Sequence, residues 1–151
     1  LTVSVAANAV MQTQETGGVI VMISSVSGSR PSPGTAAYGA AKAGIDSLAA
    51  SLAIEWAPRV RVTSIAVGMV NTERSAQHYG DVDAVAEIAA TVPLERLATP
   101  SDVGNAAVFL SSSLASYCSG STLVLHGGGE RPAFLSSAPI RDGRHESGMS
   151  E

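Results

Sequence analysis

Tyr38 and Lys42, four residues apart, are the side chains in this sequence best suited to moving a proton. On a helix that spacing puts both on one face. A phenol can give or take a proton, and an ammonium beside it stabilises the negative charge that then develops on its oxygen. Lys42 is the only lysine in 151 residues. The same face continues through Ile45, Ala49, Leu52 and Trp56, so a charged group heads an apolar stripe, where charged residues rarely sit. The spacing alone equally suits a lysine snorkelling past a core tyrosine to solvent. Two other places offer polar atoms. Ser25 has a hydroxyl that could polarise a carbonyl, although a serine in a Ser-rich loop is commonly a turn former. The run Val67-Gly-Met-Val-Asn-Thr72 has backbone groups and a hydroxyl able to hold a polar ring substituent such as a carboxamide.

Bringing these residues together requires alternating strands and helices. Residues 1–14 read as a helix, stopped at Thr16-Gly17-Gly18. The β-branched run 19–23 reads as a parallel strand buried on both faces, followed by a Ser/Gly/Pro loop over 24–34. This places Ser25 just beyond the carboxyl end of the strand, where ligands bind in open α/β sheets. Residues 35–56 form the longest helical pattern, ended by Pro58. A second strand is expected over 61–67, a helix near 81–90, a helix capped by Ser101-Asp102 and running to about 110, and a third strand over 121–125. The pattern predicts an α/β fold with a parallel sheet. Three strands are fewer than the roughly six of a doubly wound sheet, and the chain opens on Leu1 in mid-helix, so it reads as a fragment. Residues from 130 onward read as an irregular tail.

Composition narrows the function classes. With 45% hydrophobic and 15% charged residues and a net charge of −4, neither nucleic acid nor an anionic membrane is an expected partner. No apolar run approaches the ~20 residues of a membrane span. A single cysteine, Cys118, excludes an internal disulfide and fits a reducing, cytoplasmic setting. It reads as a small buried residue near the last strand. His78, His126 and His145 lack partners at ligand spacing, so no metal is expected. Asp81 and Asp83 read as helix-start residues. Gly127 to Gly129 follow the last strand with no helix after them, unlike a phosphate loop. Gly39 and Gly44, with Ala36, Ala40, Ala43 and Ser47, predict a smooth helix surface suited to a second subunit.

Taken in order, these stretches resemble the short-chain dehydrogenase/reductase family over residues 1–129. The resemblance is carried by Gly18-Val-Ile-Val-Met-Ile-Ser-Ser-Val-Ser-Gly28, Pro33-Gly-Thr-Ala-Ala-Tyr-Gly-Ala-Ala-Lys-Ala-Gly44 and Val62-Thr-Ser-Ile-Ala-Val-Gly-Met-Val-Asn-Thr-Glu73. Pro93-Leu-Glu-Arg96, Thr99-Pro-Ser-Asp102 and residues 120–128 complete it. A serine thirteen residues before Tyr-x-x-x-Lys, followed by Gly-x-Val-x-Thr, is far more specific than any one element. The resemblance implies the carboxyl-terminal part of a Rossmann-type doubly wound sheet. It implies NAD(H) or NADP(H) as cofactor, a small alcohol or ketone as substrate, and a homodimer or homotetramer. Tyr38 would be the acid/base, Lys42 would bind the nicotinamide ribose and assist Tyr38, and Ser25 would orient the substrate oxygen. Gly68, Met69, Val70 and Thr72 would border the nicotinamide, with Thr72 and the Val70 backbone near its carboxamide. Residues 73–92 would close over substrate. The family's glycine-rich phosphate loop and Asn-Ala-Gly segment have no match here, and Val67 stands where proline is usual. A noncatalytic dinucleotide-binding scaffold, or an inactive fragment, is the alternative reading.

Overall fold

A computed structural model describes residues 1–73, 75 and 79–130. The expected tail beyond residue 130, with His78 and His145, lies outside the described residues. Helix α1 is Thr2–Met11, α2 is Ala36–Glu55, α3 is Val82–Thr91 and α4 is Pro100–Ser111; the strands are β1 Gly18–Ser25, β2 Val60–Val67 and β3 Thr122–Leu125. The three strands form one parallel sheet in the order β1-β2-β3.

Alternation of side chains across the sheet builds two cores. Val60 and Val62 of β2 face Ala49, Leu52 and Ala53 of α2, with Ile20, Met22, Met11 and Trp56 packed around them. Ile65 and Val67 point the other way, onto Leu110, Val103, Ala106 and Leu123. Helices therefore cover both faces, and Val62 and Ile65 are fully excluded from solvent. This is the α/β, doubly wound parallel arrangement the sequence predicts.

Arg61 lies on β2 among these apolar residues and fastens the second face. Its guanidinium donates to the carbonyls of Cys118 at 2.9 Å, Leu110 at 3.0 Å and Ser112 at 3.3 Å. Two of those carbonyls close the carboxyl end of α4, where a cation is also favoured by the helix dipole. Arg61→Met is expected to lower the melting temperature by roughly 5–10 °C through loss of about 2–3 kcal/mol. Arg61→Lys should recover only part of it, because one ammonium cannot span the three acceptors. A melt of Arg61→Met within a degree of wild type would contradict this.

Three expected boundaries move. α1 ends at Met11 rather than at residue 14. β1 runs to Ser25 rather than ending at residue 23, because pairing with β2 continues through Ser25 opposite Val67. Ladder pairing there outweighs the turn preference of two serines, and the Ser24 hydroxyl is satisfied by the Lys42 carbonyl at 3.0 Å. The cap of α4 is Thr99, not Ser101-Asp102. Pro100 takes the first helical position, so the Thr99 hydroxyl accepts from the Asp102 N–H while the Asp102 carboxylate accepts from the Thr99 N–H. Hydrogen bonds from Arg96 at 2.8 and 3.1 Å, then those from Thr99, hold the Asp102 carboxyl well below the usual carboxylate range. Asp81 caps α3 by accepting from the Ala84 N–H, and Asp83 lies in its first turn, as expected.

Candidate active site

The carboxyl edge of the sheet lines up three chain segments. Parallel pairing sets Ser25 beside Val67 and Val67 beside Leu125, so the loops leaving each strand emerge together. Between them and α2 lies a cleft of about 380 Å³ lined by Ile23, Ser25, Tyr38, Lys42, Gly68, Val70 and Thr72 among others. Six of the residues singled out for chemistry thus share this cleft; Met69 does not line it and faces two neighbouring hollows instead.

Each side chain is held differently. Ser25 is 8% exposed, and its Oγ accepts from the Ser27 N–H at 3.2 Å. That leaves the hydroxyl proton available to a ligand. Lys42 Nζ donates to the Ile23 carbonyl at 3.0 Å and stands 5.5 Å from the centre of the Tyr38 ring. The charge therefore sits over the ring and at the lip of the strand, rather than snorkelling away from the tyrosine. Tyr38 is 49% exposed, so its ring opens onto the cleft and not into the core. The apolar stripe of α2 begins below it, with Ala49 and Leu52 buried.

Close backbone contact sets the distance between Ser25 and this pair. The short 3-10 turn Val26–Gly28 follows Ser25 and packs against the side of α2. A Cβ on Gly28 would lie 2.6 Å from the Ala43 nitrogen, and one on Gly39 2.7 Å from the Ser27 carbonyl oxygen. Gly39 is accordingly buried within the chain, which corrects its expected place on a smooth outer surface. Gly44 keeps that place, since nothing lies within 4 Å of where its Cβ would be.

Residues 68–72 form an arch pinned on one side by the segment before α4. Asn71 N–H donates to the Ala98 carbonyl at 2.8 Å and Ala98 N–H to the Met69 carbonyl at 3.0 Å. On the other side the arch rests on Ser75, which sequence reasoning did not single out. Ser24 was missed as well. Neither belongs to a chemical motif, and only the adjacency of Ser24 to Ser25 hinted at it.

Among the described residues no three His, Cys, Asp or Glu side chains group as a metal site. His126 is exposed beyond β3, and Cys118 is partly buried against the Ile65 core. Among them, too, no helix is long and apolar enough to cross a membrane.

The chain is similar to known proteins over most of its length. Residues 2–130 match the family model described as enoyl-(acyl carrier protein) reductase. The chain is 42% identical over 112 residues to 3beta-hydroxysteroid dehydrogenase 1 of Eggerthella lenta, covering 74% of this chain and 43% of that protein. A short-chain dehydrogenase/reductase family oxidoreductase from Burkholderia thailandensis superposes with a TM-score of 0.78 at 37% identity, over 90% of this chain and 55% of that one. A 4-hydroxyisoleucine dehydrogenase complexed with NADH gives 0.76 at 29% identity, over 84% and 53%. The chain thus spans about half the length of these relatives.

Proposed function

The chain belongs to the short-chain dehydrogenase/reductase family, and on that premise we propose that it carries the proton-transfer site of an NAD(H)- or NADP(H)-dependent oxidoreductase interconverting an alcohol and a ketone. The observation that carries this reading is the shared cleft: Ser25, Tyr38 and Lys42 line it together with Gly68, Val70 and Thr72. The donor set fits a nicotinamide and its ribose. It comprises an ammonium, a threonine hydroxyl and the Val70 N–H, which meets no partner among the described residues. When bound, the nicotinamide supplies or accepts the hydride.

The chain's own residues do the rest. Tyr38 gives its phenolic proton to the substrate oxygen in reduction and takes it back in oxidation. Lys42 stabilises the charge left on that phenol oxygen and donates to ribose hydroxyls. Ser25, with its oxygen already engaged by the Ser27 N–H, donates its proton to the substrate oxygen and orients it. Gly68 and Val70 border the nicotinamide, with Thr72 at its carboxamide. Residues 1–129 act as one unit in this reading. None of the described residues forms a glycine-rich strand-to-helix turn, so the unit supplies the nicotinamide and substrate end of the site. A cytoplasmic setting accords with the unpaired Cys118.

The test uses the protein as its cell makes it, with NAD⁺ or NADP⁺ and a panel of secondary alcohols, then the reduced cofactors with the matching ketones. Nicotinamide absorbance should change in both directions. No turnover and no dinucleotide binding with either cofactor would remove the reading.

Assembly follows from α2. Ala40, Gly44 and Ser47 are exposed on one stripe of the helix. Its lack of bulk permits close helix contact, so light scattering should report a dimer or tetramer. A concentration-independent monomer would count against this.

A further inference from the structure

Resting on the reading just proposed, we infer that Ser75 is a positioning residue for the nicotinamide, holding the 70–72 arch in the shape that meets the carboxamide. Ser75 is 4% exposed and does not line the cleft. Its Oγ accepts from the Thr72 N–H at 2.7 Å and donates to the Val70 carbonyl at 3.3 Å, while the Ser75 N–H donates to the Thr72 carbonyl at 2.9 Å. One buried hydroxyl therefore uses both its donor and its acceptor capacity on the two residues assigned to the carboxamide.

Backbone pairing shows what this bracket achieves. The Met69 carbonyl and Asn71 N–H are tied to Ala98, and the Val70 carbonyl and Thr72 N–H to Ser75. Held at both ends, the arch leaves the Val70 N–H without a partner among the described residues, on a residue that lines the cleft. A ring carboxamide oxygen is a suitable acceptor for it. Removing the Ser75 hydroxyl takes away its bonds to the Val70 carbonyl and the Thr72 N–H, which frees the arch to turn and carry the Val70 amide with it.

Ser75→Ala tests this in the protein as its cell makes it. Calorimetric titration compares the preferred reduced dinucleotide with its ADP-ribose fragment, which lacks the nicotinamide. The variant should bind the dinucleotide about tenfold more weakly and the fragment within about twofold of wild type. Ser75→Thr, which keeps the hydroxyl, should restore dinucleotide affinity. Equal loss for both ligands, no loss for either, or a threonine variant as weak as alanine would overturn the role of Ser75. Wild-type protein that binds neither ligand would overturn the reading of the cleft itself, and with it this inference.

Discussion

Tyr38→Phe is expected to lower kcat by roughly 10³-fold while leaving the dinucleotide dissociation constant within about twofold of wild type. The substitution removes only the phenolic oxygen. The ring stays on the cleft beside Lys42, whose Nζ lies 5.5 Å from its centre and is anchored independently on the Ile23 carbonyl. Binding should therefore be preserved, and only the group proposed to transfer the proton is lost. Among the described residues no histidine lines the cleft to replace it. Ser25 cannot do so, because its Oγ is an acceptor for the Ser27 N–H and no base adjoins it. Lys42→Ala should differ in kind, weakening dinucleotide binding as well as turnover. Steady-state kinetics together with a binding titration separate the two. Turnover by Tyr38→Phe within tenfold of wild type at neutral pH would show that another group moves the proton.

A comparably large effect is expected at a residue with no chemistry of its own. Gly28→Ala places a methyl carbon 2.6 Å from the Ala43 nitrogen and 2.9 Å from the Lys42 carbonyl carbon. Both are backbone atoms of a helix and cannot step aside, so the turn after β1 must lift. The strain should cost about 1–3 kcal/mol. More telling is its direction, since lifting the turn draws Ser25 away from Tyr38 and Lys42. A displacement of about 1 Å suffices for a roughly 10²-fold loss of turnover. Gly104→Ala, in the interior of α4, is the matched control. Nothing lies within 4 Å of its Cβ, and alanine in a helix interior is about 1 kcal/mol better than glycine. The same substitution should therefore lower the melting temperature and turnover at Gly28, and raise the melting temperature without affecting turnover at Gly104. Equal melting temperatures and turnover for the two variants would refute the packing argument.

Much of this protein is written in short stretches of chain. The strands and helices follow from β-branched runs, helical spacing and breakers within a few residues of each element. The Tyr38–Lys42 pair follows from one turn of helix geometry, and the thirteen-residue step back to Ser25 marks the family before any contact is known. Such features are legible because each depends on backbone preferences acting locally. Where the local signal misled, a competing long-range interaction was responsible. Ser24 and Ser25 look like loop residues but are claimed by the ladder with β2. Gly39 looks like surface but is pressed onto the Ser27 carbonyl. Nothing near Arg61 in sequence announces its hold on Leu110, Ser112 and Cys118, 49 to 57 residues away. Ser75 looks like any polar residue after a turn until the arch folds over it. The sequence by itself thus determined which elements form and which side chains can do chemistry. Only the tertiary structure decided how far apart those side chains stand and what keeps them there. The helix-on-sheet packing that sets those distances joins residues whose separation along the chain carries no pattern.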